Sequence, residues 1–132
     1  MMYELHFKVR DYELDLQGIV NNAVYQNYLE HARHEYMNAM GVNFDALHRE
    51  GTDAVVVRIE IDYKQPLKSG DEFICTVSTE REGRLKLIFN QQILRLPDRK
   101  LMIQAKVTAA CIHNGRPVEP LAVLEKLGYP VK

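Results

Sequence analysis

A single long stretch of helical spacing stands ahead of four consecutive runs of two-residue alternation, and this imbalance restricts the fold more than any other feature. From Ala23 to Met40 the apolar residues Val24, Tyr25, Tyr28, Leu29, Ala32, Tyr36, Ala39 and Met40 recur at three- and four-residue intervals, and Gly41 follows as a C-terminal cap. Beyond it, apolar side chains occupy every second position in Val55–Tyr63, Phe73–Val77 and Leu101–Cys111. The same holds for Leu85–Ile93, apart from Gln91. Ahead of the helix, Tyr3, Leu5, Phe7 and Val9 alternate with Glu4, His6, Lys8 and Arg10, which predicts a first half-buried strand. Pro66, Gly70, Glu82-Gly83, Pro97-Asp98 and Asn114-Gly115 punctuate the series as turns. Short amphipathic pieces are expected at Asn43–Glu50 and Pro120–Leu127. The order β-α-β-β-β-β spells an α+β domain, a five-stranded antiparallel sheet curled around one long helix. No repeat or linker interrupts the pattern, so residues 1–132 are expected to form a single domain.

Bulk composition excludes several classes of partner. A formal charge of -1 leaves no electrostatic footprint for nucleic acid or an anionic membrane surface. The start, Met1-Met2-Tyr3-Glu4-Leu5-His6, has no basic run followed by an apolar one, and no later stretch has the length of a membrane span. A cytoplasmic, soluble chain is the expectation. Cys75 and Cys111 lie in separate strand runs and read as reduced core thiols. At 132 residues the chain can bury a core but has little wall left to enclose a long ligand, so oligomerisation is expected to supply it.

The stretch Asp15-Leu16-Gln17-Gly18-Ile19-Val20-Asn21-Asn22 places a carboxylate on a tight turn just ahead of the helix. A helix start offers unpaired N–H groups and the positive end of the macrodipole, which would polarise an ester or thioester carbonyl. Gly18 permits the backbone such a turn needs, and Asn21 or Asn22 is a favoured N-cap.

The run from Val9 to Arg33 resembles the N-terminal motif of the hydroxybenzoyl-CoA thioesterase-like hot-dog family: an acidic-x-Asp-x-x-Gly-hydrophobic-Val turn, then a Tyr-rich helix ending in Glu-x-Ala-Arg. Tyr63-Lys64-Gln65-Pro66-Leu67-Lys68-Ser69-Gly70-Asp71 is similar to the family's aromatic-x-x-Pro-x-x-x-Gly-Asp link between strands. The resemblance implies a hot-dog fold and hydrolysis of an acyl-CoA thioester, with Glu13 at the first acidic position and Asp15 as the catalytic carboxylate. It maps the N–H that binds the thioester oxygen to Asn22 and makes Gly18, Ile19, Val20 and Tyr25 substrate-binding, with Tyr25 facing the acyl chain. Basic residues Arg81, Arg84 and Lys86 at a hairpin stand where relatives hold the coenzyme A nucleotide. It further implies homodimers with two clefts between subunits, assembling to homotetramers. No cofactor is implied beyond coenzyme A as part of the substrate. Asn21-Asn22 is also similar to the His-Val-Asn-Asn of acyl-carrier-protein thioesterases, with Ile19 where their histidine stands. An acyl-ACP thioesterase and a non-catalytic acyl-CoA binder are therefore the alternatives.

Other chemistries fit less well. Ser69 and Ser78 lie outside any nucleophile elbow. Cys111 and His113 share a strand face but read as a buried thiol beside a strand-end histidine. Glu30, His31, His34 and Glu35 crowd one helix, whereas a di-metal carboxylate site draws on several, so no metal is expected. Glu30 and Arg33 are expected to pair at i,i+3.

Overall fold

A computed structural model describes residues 2–130. Strand β1 (Tyr3–Lys8) leads through a short 3-10 turn (Asp11–Glu13) into helix α1 (Asn22–Ala39). A brief α2 (Phe44–Arg49) precedes β2 (Thr52–Tyr63), β3 (Glu72–Glu82), β4 (Lys86–Arg95), β5 (Lys100–His113) and β6 (Arg116–Val118), and α3 (Leu121–Lys126) follows. The five expected strands are all present and every neighbouring pair is antiparallel. The addition is β6, a three-residue strand that pairs with Cys111–His113 of β5 beyond the point where β4 begins. Asn114 and Gly115 turn the chain into it with positive φ. So short a strand carries no periodicity of its own, and pairing alone defines it.

The sheet order is β1-β3-β4-β5-β2, so the chain leaves one edge at β1, crosses in α1 and α2, and re-enters at the opposite edge as β2. Helix α1 lies over β1 and β3. Its stripe of Tyr25, Tyr28, Leu29, Ala32, Tyr36 and Met37 is buried against the inner faces of Phe73, Cys75, Val77, Phe89 and Ile93. Phe73 is the centre of this contact, stacked on Phe7 with ring centroids 5.0 Å apart and tilted against Tyr28 at 4.8 Å.

Strand β2 departs from the sequence reading. Its alternation predicts a half-buried strand, yet Val55, Val56, Val57 and Ile59 are all exposed, Val57 at 51%. The cause is geometric. A helix about 10–12 Å across covers roughly two strands at ~4.8 Å spacing, and α1 sits on the far side of the sheet. A bulge between Val56 and Arg58 further twists this edge.

Both thiols are buried, and burial pushes the Cys75 thiol up to about 12 despite a hydrogen bond from Gln91. Because the thiolate is the reactive form, folded protein should release negligible chromophore from an aromatic disulfide reagent near about pH 8, and react fully once unfolded in guanidinium. Phe73→Ala should lower stability by about 3–5 kcal/mol in urea titrations, since the ring is completely buried.

Candidate active site

The loop ahead of α1 is held from three directions. Within it, the Asp15 N–H donates to the Ile19 carbonyl at 2.8 Å and the Gly18 N–H to the Asp15 carbonyl at 3.1 Å. Gly18 closes this turn at φ +79°, in the left-handed region, with open space where a Cβ would stand; backbone conformation, not crowding, asks for glycine there. The second anchor is the link between β2 and β3, where Val20 N–H donates to the Leu67 carbonyl at 2.9 Å and Ile19 bridges Lys68. Glu13 supplies the third. Its Oε1 accepts from the Arg10 N–H at 2.8 Å and from the Tyr28 hydroxyl at 2.7 Å, tying the loop to the helix it precedes.

Asp15 is half-buried, and its Oδ1 accepts from the N–H groups of Gln17 at 2.8 Å and Ile19 at 3.4 Å. Among the described residues no donor reaches Oδ2, so one oxygen shapes the loop and the other is left unpartnered.

The helix start has a definite pattern of satisfied and unsatisfied donors. Asn21 is the N-cap, its side chain accepting from Ala23 N–H at 3.0 Å and its carbonyl from Val24 N–H at 2.9 Å. Asn22 is the first helical residue, and among the described residues its N–H has no acceptor. The cap therefore leaves an unpaired donor at the position expected to bind an oxyanion, at the positive end of an 18-residue helix. Asp15, Gly18, Ile19, Val20 and Asn22 are thus brought together by one loop.

Tyr25 stands differently. It is 2% exposed, packs edge-on to Tyr28 and Tyr63, and its hydroxyl accepts from Leu67 N–H at 2.9 Å. Burial raises its pKa, with Asp15 among the charges adding to the rise. In the protomer Tyr25 pins the β2–β3 link beneath the loop instead of presenting a face to an acyl group.

The basic hairpin is remote from this loop. Strand β3 starts beside the loop at Glu72 and ends ten residues later at Glu82, about 33 Å away at the usual strand rise. There Arg81 and Arg84 both turn to Glu119, at 3.2 and 3.8 Å, while Lys86 opens β4.

A cavity of about 630 Å³ lies at that same far end, between the C-terminal half of α1, α2 and the uncovered inner faces of β2, β4 and β5. Met37, Phe44, Val55, Leu87 and Phe89 make it largely apolar, and Asp15 does not line it. A second, more polar groove of about 910 Å³ runs between β1 and α1, touching Glu13 and Tyr28 but again not Asp15.

Two polar residues on the first cavity's side were missed in the sequence. Arg33 does not pair with Glu30; it turns inward, and its Nη1 donates to Gln91 Oε1 at 3.1 Å. Both are buried, and burial lowers the Arg33 pKa while Glu30 opposes the shift. The signal was present: Arg33 sits in register with Leu29 and Met37 on the apolar stripe, and Gln91 interrupts the inward series Leu87, Phe89, Ile93. Cys111 is buried and His113 ends β5, as expected, with the His113 Nδ1 hydrogen-bonded to Thr52 Oγ1 at 2.9 Å.

Residues 9–127 match the model of the thioesterase-like superfamily. The acyl-acyl carrier protein thioesterase ATL3 of Arabidopsis thaliana is 38% identical over 117 residues, 88% of this chain and 62% of that protein. This chain spans about three fifths of the length of that relative and of its paralogue ATL2. The long-chain acyl-CoA thioesterase FadM of Escherichia coli is 30% identical over 83% of this chain and 82% of its own length. Among solved structures, a hypothetical protein from Aquifex aeolicus superposes with a TM-score of 0.87 at 28% identity, covering 95% of this chain and 98% of that one.

Tyr25→Phe removes the acceptor for a buried Leu67 N–H and should cost about 1–3 kcal/mol in urea unfolding, without changing the far-ultraviolet spectrum.

Proposed function

Because this chain belongs to the thioesterase-like superfamily, we propose that it hydrolyses acyl-CoA thioesters to the free acid and coenzyme A, with Asp15 as the catalytic carboxylate. The thioester carbonyl oxygen sits on the Asn22 N–H, and the developing negative charge is stabilised by that donor and the helix dipole. Oδ2 of Asp15 either takes a proton from a water that adds to the carbonyl carbon, or itself adds to form an anhydride that water opens. In both routes the C–S bond breaks and the thiol leaves. Nothing in this chemistry calls for a resident metal or cofactor.

One observation carries the reading. The Asp15 loop and the cavity lie at opposite ends of β2, a twelve-residue edge strand on which Val55, Val56, Val57, Ile59 and Tyr63 are exposed. Its Tyr63 end abuts the Asp15 loop through Tyr25 and the Leu67–Lys68 link, whereas Thr52–Val56 line the 630 Å³ cavity. An exposed apolar edge seeks a partner strand. Antiparallel pairing of two copies at β2 sets the Tyr63 end of one beside the Thr52 end of the other, so that each loop serves its neighbour's cavity. The acyl chain enters that cavity, and the nucleotide lies over the hairpin that carries Arg84 and Lys86, which neighbours it. The dimer is thus the catalytic unit, with a tetramer as its further assembly.

A second reading, an acyl carrier protein thioester as substrate, is favoured by the 38% identity to the plant enzymes and by the engagement of Arg81 and Arg84 with Glu119. Parallel assays on the same acyl group carried by coenzyme A and by a carrier protein separate the two.

Asp15→Asn keeps an oxygen to accept from Gln17 and Ile19 while removing the charge, so turnover should fall by about 10²- to 10⁴-fold with the loop intact; unchanged thiol release would overturn the assignment. Light scattering should give at least a dimer. Co-refolding Asp15→Asn with the cavity-filling Ala109→Phe should recover about a quarter of wild-type activity, because half the dimers are mixed and one of their two sites is intact. No recovery would mean that loop and cavity of one protomer work together.

A further inference from the structure

Arg81 ends an inward series with a charge. Phe73, Cys75 and Val77 of β3 are buried on the inner face, Thr79 continues their alternation and meets the Tyr129 hydroxyl at 2.9 Å, and Arg81 follows with the same parity. It lies in register with Leu87 of β4, which lines the 630 Å³ cavity. The anion that answers it comes from the segment after β6. Glu119, directly before the cavity-lining Pro120, sets Oε1 3.2 Å from Arg81 Nη2 and Oε2 3.8 Å from Arg84 Nη1. Arg81 Nη2 also donates to the Arg84 carbonyl at 3.2 Å, which ties the two arginines together.

One carboxylate thus serves two cations at the cavity rim. The neighbouring acids of the hairpin are placed elsewhere: Glu80 accepts from Asn90 at 3.0 Å, and Glu82 stands in register with Lys86. Both have the parity of the outer face, opposite to that of Arg81. The side chains of Arg81 and Glu119 are each 27% exposed, against 72% for Arg84, so this pair is better sheltered from solvent than an ordinary surface ion pair. Guanidiniums that hold a carboxylate by its two oxygens hold a phosphate in the same way. A phosphate reaching this rim meets arginines already engaged, and must either displace Glu119 or lie beside its negative charge. Both weaken its binding.

Resting on the hydrolase reading above, we propose that Glu119 is a specificity-determining residue: a built-in competitor for phosphate at Arg81 and Arg84, which lowers the preference for an acyl group carried on the coenzyme A nucleotide relative to the same group on a pantetheine arm without one. The nucleotide brings a pyrophosphate and a ribose phosphate to the hairpin, and pantetheine brings neither. An ion pair that served only to fasten the C-terminal segment to the hairpin has the opposite consequence, because its loss loosens the rim and weakens whatever binds there.

The test uses the whole protein, with Kd for free coenzyme A from calorimetry and kcat/KM for one acyl group carried on coenzyme A and on pantetheine. Glu119→Gln keeps an oxygen for Arg81 while removing the charge. It should tighten coenzyme A by about 5- to 30-fold and raise the coenzyme A to pantetheine ratio in kcat/KM by a similar factor, with the pantetheine substrate unchanged. Glu119→Asp, which withdraws the carboxylate by one methylene, should move both quantities the same way by a smaller factor, and serves if Glu119→Gln does not fold. In an Arg84→Gln background the gain should shrink, because one of the two contested cations is gone. Tighter coenzyme A in the variants with no turnover of either thioester would sustain this inference and sink the hydrolase reading. Turnover with Kd and the ratio unmoved or lowered in the folded variants, an equal gain on pantetheine, or no binding of coenzyme A by any form would sink the inference.

Discussion

One helix cannot cover five strands, and the layout of the molecule follows from that shortfall. Helix α1 saturates the β1–β3 side with aromatic and aliphatic contacts, leaving the β5–β2 side with an uncovered inner face and an unpaired outer edge. The uncovered face becomes the cavity. The unpaired edge becomes the place where a second copy is proposed to add, and in that arrangement the half of the sheet that α1 leaves bare is closed by another molecule instead of another helix.

The loop before α1 shows how one side chain can close a turn and still keep an oxygen free. Asp15 uses Oδ1 to close its own turn, much as an asparagine would, and this fixes where Oδ2 can be. Glu13 and Tyr25 act at one remove: the first joins the loop to Tyr28, the second holds Leu67, whose carbonyl in turn receives Val20. Asn21 capping Ala23 and Val24 while leaving Asn22 free is the same economy at the helix start. Hydrogen bonds between neighbours in sequence build the loop, and hydrogen bonds to distant segments decide its height above the sheet.

The buried Arg33–Gln91 pair runs against the apolar logic of the core. Both residues stand at positions whose period assigns them inward, and both go inward; the expected surface pair between Glu30 and Arg33 gives way because the helix face carrying Arg33 is the one pressed on the sheet. A partner on the same helix was the natural reading from spacing alone. Only the packing angle of α1 brings residue 91 of another strand within reach.

Local patterns in the sequence were enough to determine every strand but β6, the helices, their order, the inward faces of most strands, the Gly18 turn and the cap ahead of α1, because each depends on residues within a few positions of one another. Three matters were decided by tertiary structure. The strand order that sends β2 to a bare edge, the burial of Tyr25 and Arg33, and the distance between the Asp15 loop and the hairpin of Arg81 and Arg84 all arise from contacts between segments far apart in the chain. Alternation tells a strand which face is apolar; whether anything in the same molecule covers that face depends on where a helix of limited width comes to rest.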